Sequence, residues 1–141
     1  MTKPIRNKHA VITSPYGNRK VLDKTEFHGG IDIAVTGNPV GVPVYATCAG
    51  IVGAIITDAA MSCGRAVFIK KDSPEYYCLY MHLETVNPDL SVGEHVTEGA
   101  YLGTMGNTGA SRGMHLHYGH RKTMVSGSET YDPADVSALY K

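Results

Sequence analysis

The sequence lacks three features that would mark common classes of protein. Lysine plus arginine and aspartate plus glutamate each number 13, so no basic excess points to nucleic acid as a partner. No apolar run approaches the ~20 residues of a transmembrane helix, and we expect no membrane span. Residues 1–6 carry charge, but no apolar stretch follows them, so we do not expect them to form a signal peptide. If the protein acts outside the cytoplasm, it would then be exported by another route, belong to a larger protein or particle, or have lost a leader that the natural protein carries.

Cysteine is scarce, and its spacing is uninformative for metal binding. The three cysteines are Cys48, Cys63 and Cys78, and an odd number cannot form a complete disulfide framework. The hairpin predicted below places Cys78 opposite Ile69 rather than Cys63. We therefore expect all three thiols to be reduced. A cysteine ligand for zinc is disfavoured because the sequence contains no Cys-x-x-Cys pair.

Turn-forming residues are abundant. Sixteen glycines and seven prolines favour short strands over long helices, and 43% apolar residues is ordinary for a globular protein. The length is that of a single domain with its own core, residues 1–141. Strand-type runs occur at residues 10–13, 31–35, 42–46, 50–56, 65–71, 76–82 and 114–121. The composition and the runs together predict a mostly β fold.

Two local patterns add detail to this fold. The loop at residues 72–75 predicts a hairpin in which Lys71 faces Tyr76. Near the end of the chain, Asp132 is the expected N-cap and Pro133 the expected first residue of a short helix that ends at Tyr140. We therefore expect one short C-terminal helix.

The strongest candidates for chemistry are two pairs of potential metal ligands. His115 and His117 are two residues apart in a predicted strand, so their side chains project from the same face. His28 and Asp32 are four apart, and the intervening residues 29–30 are both glycine, which argues against a helix. In a straight strand their backbones would lie about 13 Å apart. Because zinc bonds are only about 2.0–2.2 Å long, both could reach one ion only if the chain bends at the glycines.

The remaining histidines are weaker candidates. His82 lies at the end of the predicted strand 76–82, and it would become a catalytic base only if it lay beside the two pairs. His9, His95 and His120 show no such pattern, and we expect them on the surface.

Taken together, these motifs resemble the lysostaphin-type zinc metalloendopeptidases, also called LytM-like peptidases, which hydrolyse peptide bonds in bacterial peptidoglycan. The resemblance covers nearly the whole chain. Its motifs are residues 12–19, 27–34, 42–46, 50–52, 102–109 and 114–118. After His117 the family often has an aromatic residue followed by glutamate or glutamine, whereas this sequence continues with Tyr118 and Gly119.

The resemblance implies a specific site and fold. One zinc ion per chain would be held by His28, Asp32 and His117, and His82 and His115 would be the unliganded catalytic pair. The fold would be a mostly antiparallel β-sheet with loops that wall a narrow groove. The substrate would be bacterial peptidoglycan peptides, cleaved outside the cytoplasm. Glycine bridges, D-alanyl-diaminopimelate crosslinks and D-alanine-linked stems all occur as substrates in the family. The enzyme would be secreted, periplasmic or virion-associated, and a phage lytic protein would also fit.

Two other functions compete with this one. A non-catalytic LytM-like domain that regulates a cell-wall hydrolase would be expected to lack ligands, whereas all five candidate residues are present here. Residues 92–103 also resemble the turns of lipoyl and biotinyl carrier domains. Those domains need a modifiable lysine at a hairpin tip, and no lysine lies between Lys71 and Lys122.

Overall fold

A ten-stranded antiparallel sheet dominates the computed structural model, which describes all residues from Met1 to Lys141. The strands are β1 Ala10–Ser14, β2 Gly17–Val21, β3 Lys24–His28, β4 Ile31–Val35, β5 Pro43–Tyr45, β6 Gly50–Ile56, β7 Arg65–Lys71, β8 Tyr77–Val86, β9 His95–Val96, β10 Tyr101–Met105, β11 Leu116–Arg121 and β12 Thr130–Tyr131. The main path through the sheet is β1-β4-β11-β8-β7-β6-β9, and β2 and β3 form a separate hairpin. The predicted mostly β, antiparallel fold is confirmed.

The predicted strands agree closely with those observed. Strands β4, β6 and β7 have the predicted bounds, and Ile69 lies opposite Cys78 as expected. Strand β8 is longer than predicted, because it continues past His82 to Val86. The β2–β3 hairpin was not predicted, since its residues are polar and largely exposed and so lack apolar alternation.

The two faces of the sheet bury different side chains. One face covers the main core of 20 residues, to which β4 contributes Ile31 and Ile33 and β11 contributes Leu116 and Tyr118. Full burial of an isoleucine or leucine side chain stabilises the fold by about 1.5–3 kcal/mol. The opposite face carries a smaller apolar cluster around Phe68. The candidate site lies on this second face, which the core leaves open.

The chain ends in a short helical segment, as predicted, but its start differs from the prediction. Helix α1 is Ala134–Ser137, and a 3-10 turn follows at Ala138–Tyr140. The N-cap is Pro133 and not Asp132, because the backbone N–H groups of Val136 and Ser137 both donate to the carbonyl of Pro133. Neither helical segment is long and apolar enough to cross a membrane.

A buried polar network lies within the core and contains a histidine that we expected on the surface. His120 is only 3% exposed, and its Nε2 lies 2.6 Å from the hydroxyl of Tyr118, which in turn lies 2.7 Å from Thr47 Oγ1. The surface prediction for His120 is wrong because strand alternation places it on the same face as Tyr118. All three cysteines are free thiols, and the Sγ atoms of Cys48 and Cys78 lie 3.5 Å apart in this region.

Candidate metal centre

Three side chains converge on the open face of the sheet. Asp32 Oδ1 lies 3.2 Å from His28 Nε2 and 3.0 Å from His117 Nδ1, and the two nitrogens lie 3.3 Å from each other. His28 is buried, and the other two residues are half-buried. The three atoms thus form a compact triangle.

Local backbone geometry explains how residues distant in sequence meet. His28 ends β3, and the chain turns at Gly29 and Gly30 before β4 begins, which brings Asp32 back beside His28. Strand β11 pairs with β4 so that His117 lies directly opposite Asp32. Only glycine fits at position 30, because a Cβ there would lie 2.5 Å from the carbonyl oxygen of Tyr118 and 2.8 Å from Nε2 of His117.

Neighbouring groups fix the orientation of His28 and Asp32. His28 Nδ1 donates to the carbonyl oxygen of Pro15 at 2.9 Å. A carbonyl oxygen can only accept, so the neutral ring carries its proton on Nδ1 and presents a lone pair at Nε2. On the other side of the cluster, Arg19 Nη1 lies 3.6 Å from Asp32 Oδ2 and donates to Ser14 Oγ at 2.6 Å.

The carboxylate of Asp32 is held in its ionised form. Partial burial alone would raise its pKa, but hydrogen bonding to His117 and His28, and the positive charge that these rings carry when protonated, outweigh burial. The pKa of Asp32 therefore lies well below its usual range. An anionic oxygen of Asp32 then faces the Nε2 lone pair of His28 at 3.2 Å, an arrangement that needs a proton or a cation between the atoms.

The donor set fits a divalent metal with nitrogen and oxygen ligands. Two imidazole nitrogens and one carboxylate oxygen are typical of a zinc site that keeps a further position open. Ligands about 2.1 Å from a tetrahedral zinc would be separated by about 3.4 Å. The observed separations of 3.0, 3.2 and 3.3 Å are close to that value. The chain therefore holds a His-Asp-His group suited to a metal ion.

His115 lies beside this group with one ring nitrogen already occupied. Its Nδ1 donates to the carbonyl oxygen of Gly113 at 2.8 Å, and Ser111 Oγ lies 3.2 Å from the same nitrogen. Its Nε2 lies 3.6 Å from Asp32 Oδ1, outside the triangle. His115 thus leaves its Nε2 free next to the candidate metal position.

His82 faces His115 from strand β8, and their ring centroids lie 5.1 Å apart. Its Nδ1 donates to the carbonyl oxygen of Thr108 at 2.7 Å, so Nε2 is again the free nitrogen. The backbone of His82 has φ 64°, a left-handed conformation that costs a non-glycine residue about 1–3 kcal/mol. It lies at an irregularity in the β7–β8 pairing, where the single residue Ala66 of β7 faces two residues of β8, Met81 and His82. Burial lowers the pKa of His82, which favours its neutral form.

The structure therefore brings together all five residues singled out in the sequence. His9 and His95 are exposed elsewhere, as expected, and His120 lies on the opposite face of the sheet. Sequence reasoning missed the backbone carbonyls that orient the histidines. No residue type signals such a role, because every residue has a carbonyl group.

A cavity of about 450 Å³ extends from the cluster along the open face. The sheet forms its floor with Phe68, Met81, His82 and His117. Loops between strands form its walls at Met61, Ser62, Ala110, Met124 and Ser126. The candidate metal position thus borders, through His117, a groove large enough for part of a peptide.

Comparison with known proteins identifies the family. The model of peptidase family M23 matches residues 26–133, which contain all five residues of the site. The chain belongs to peptidase family M23, and the resemblance to lysostaphin-type peptidases is confirmed.

Sequence relatives include peptidases of the bacterial cell wall. The chain is 35% identical over 110 residues to the peptidoglycan DD-endopeptidase ShyA of Vibrio cholerae, covering 76% of this chain and 24% of that protein. It is 34% identical over 114 residues to an uncharacterized metalloprotease of Haemophilus influenzae, covering 79% of this chain and 22% of that protein. The chain thus spans about a quarter of the length of these relatives.

Solved structures agree with this assignment. A mutant of the catalytic domain of the prophage-encoded M23 protein EnpA from Enterococcus faecalis superposes with a TM-score of 0.76 at 30% identity, covering 94% of this chain and 95% of that one. The catalytic domain of lysostaphin from Staphylococcus simulans gives a TM-score of 0.75 at 22% identity, covering 91% and 92% of the two chains. The second likeness is one of fold.

Proposed function

We propose that this chain is a zinc metalloendopeptidase that hydrolyses peptide bonds in bacterial peptidoglycan. The observation that carries the proposal is the triangle of His28, Asp32 and His117, with His82 and His115 beside it on the same face of the sheet. The relation to a peptidoglycan DD-endopeptidase supports the substrate class. Residues 1–141 would form a single lysostaphin-type domain that acts outside the cytoplasm.

In this proposal His28, Asp32 and His117 hold one zinc ion. Zinc at such a site supplies a Lewis acid, which acidifies water and polarises a carbonyl group. The protein positions the ligands in advance: Pro15 fixes the ring of His28, and strand pairing fixes His117 against Asp32. Little reorganisation is then needed when the ion binds.

His82 and His115 carry the proton transfers in this proposal. Each binds a backbone carbonyl through Nδ1–H, so a neutral ring presents a basic Nε2 to the groove. One Nε2 accepts a proton from the attacking water, and a protonated ring donates one to the leaving amine. Histidine suits both roles because its pKa lies near neutral pH. No glutamate adjoins a ligand as in His-Glu-x-x-His enzymes, so the histidines must do this work.

The proposal is tested by incubating the purified, zinc-loaded protein with peptidoglycans of several crosslink types and identifying new amino termini by mass spectrometry. We expect cleavage that a chelator abolishes and zinc restores. His28→Ala, Asp32→Ala and His117→Ala should lose both metal and activity, whereas His82→Ala and His115→Ala should keep the metal and lose most turnover.

His95→Ala is the matched control, because His95 is exposed and pairs with Asp72 away from the groove. It should retain both zinc and activity. Full binding of zinc by His117→Ala, or undiminished cleavage by both His82→Ala and His115→Ala, would contradict the proposed roles. Absence of new amino termini from every peptidoglycan would favour the non-catalytic alternative.

A further inference from the structure

Arg121 is the only lysine, arginine, aspartate or glutamate that lines the groove cavity. It is the last residue of β11, on the same strand face as His117, since the two are an even number of residues apart. Gly119 lies between them on that face and has no side chain. On this face of the strand, the candidate metal ligand His117 and the cation of Arg121 are therefore separated only by a position without a side chain.

The charge of Arg121 has no anionic partner in the chain. Its Nε donates to the carbonyl oxygen of Thr123 at 3.1 Å, and its Nη2 donates to that of Met124 at 2.9 Å. No carboxylate lies within salt-bridge distance, and Nη1 makes no hydrogen bond within the protein. Burial lowers the pKa of Arg121, as expected for a cation that has lost part of its hydration. A partly buried cation without a counter-charge favours an anionic ligand.

Apolar side chains predominate around Arg121 in the cavity, which Ser62 and Ser126 also line. Its guanidinium carbon lies 5.7 Å from the ring centroid of Phe68, and Met61 and Met124 line the same cavity. The backbone distance from His117 to Arg121 along the strand is about 13 Å. An anionic group bound at Arg121 would therefore lie on a side arm or on a neighbouring residue, away from the bond that is cut.

We propose that this cavity selects substrate peptides in which a residue near the scissile bond bears a free carboxylate on an apolar arm, and that Arg121 binds this carboxylate. The inference rests on the proposed peptidase function and narrows its substrate. Peptides made only of glycine would gain nothing from Arg121. Crosslinks that keep a free carboxylate beside the cut bond would be preferred.

The test compares two crosslink peptides that differ only in this group, one with the free carboxylate and one with the primary amide. Charge-assisted hydrogen bonds should give the acid a roughly ten- to hundredfold higher kcat/KM. In Arg121→Gln this preference should fall to about onefold, mainly through KM, with zinc content unchanged. Lys122→Gln removes the neighbouring exposed charge and should keep the wild-type preference.

Because Arg121 also holds the backbone at Thr123 and Met124, its loss could disturb the loop. A purely structural role would lower kcat/KM for both peptides equally and leave their ratio unchanged, and that result would overturn the inference. Equal cleavage of acid and amide by the wild type would do the same.

Calorimetric binding of both peptides to the zinc-loaded His115→Ala variant separates this inference from the proposed function. Tighter binding of the acid that depends on Arg121, without cleavage by the wild type, would refute the peptidase and keep the carboxylate site. Cleavage by the wild type with equal binding of the two peptides would refute the carboxylate site alone.

Discussion

The two glycines between His28 and Asp32 allow a sharp test of how the site is built, because they differ in the space around them. An alanine Cβ at position 30 would lie 2.5 Å from the carbonyl oxygen of Tyr118, 2.8 Å from His117 Nε2 and 2.9 Å from its Cε1. An alanine Cβ at position 29 would first meet the Cγ2 methyl of Thr130 at 3.2 Å. Gly30→Ala and Gly29→Ala are therefore a matched pair.

The expected cost of Gly30→Ala follows from these distances. Ordinary contact begins near 3.4 Å, so the new methyl group and the Tyr118 oxygen must separate by about 0.9 Å (3.4 − 2.5). That oxygen belongs to β11 where it pairs with β4, so it cannot move alone. Overpacking of this kind costs about 1–3 kcal/mol. The same methyl group presses on the ring of His117 and moves its Nδ1 away from Asp32. Gly29→Ala meets only a side-chain methyl and should cost less than about 1 kcal/mol.

Two measurements check this reasoning: zinc affinity by competition with a chromogenic chelator, and the free energy of unfolding by urea denaturation of the metal-free protein. Gly30→Ala should weaken zinc binding at least tenfold and lower stability, whereas Gly29→Ala should stay near wild type in both. Wild-type zinc affinity in Gly30→Ala would refute the packing of His117 against this glycine. Equal losses in both variants would show that backbone flexibility, and not contact, governs the turn.

Two further predictions concern the core face of the sheet. Burial lowers the pKa of His120 from 6.5 to about 4, with Lys71 also lowering it and Asp135 opposing. Between these pH values the unfolded chain binds more protons than the folded protein does, because His120 is protonated only when unfolded. The free energy of unfolding should therefore fall by up to about 3 kcal/mol as the pH drops from 6.5 to 4. His120→Phe should flatten this slope in urea denaturation, and an unchanged slope would contradict the assignment. Refolding with oxidised glutathione should join Cys48 to Cys78 by a disulfide bond. Each thiol loses a proton and an electron while glutathione disulfide is reduced to two thiols, so the mass of the protein should fall by about 2 Da. One thiol should remain open to alkylation, and three alkylated thiols after this treatment would count against the pairing.

Much of the site was accessible from sequence because it depends on two simple rules of chain geometry. Strand alternation placed His115 and His117 on one face, and the paired glycines indicated a turn between His28 and Asp32. Both arguments need only the periodicity of β structure and the freedom of glycine. The same alternation, continued three residues beyond His117, would have placed His120 in the core.

What could not be predicted depends on contacts between distant segments. The left-handed backbone of His82 arises where β7 and β8 fall out of register, and its orientation depends on the carbonyl of Thr108, 26 residues away. The unpartnered charge of Arg121 is likewise visible only once the surrounding strands and loops are assembled. Registers and missing partners are properties of the folded chain, which single-sequence patterns do not encode.

The hydrogen bonds at Nδ1 also give a reason why two histidines on one strand face should have different roles. In His115 this nitrogen is occupied by the carbonyl of Gly113, and the remaining Nε2 is 3.6 Å from Asp32 Oδ1. In His117 the Nδ1 atom is itself the one that faces Asp32 and His28, at 3.0 and 3.3 Å. Spacing makes the two residues equivalent, but a single backbone carbonyl makes them different. In the proposed function, the division between ligand and proton carrier is therefore set by the loop that precedes β11, and moving the Gly113 carbonyl should alter proton transfer without releasing the metal.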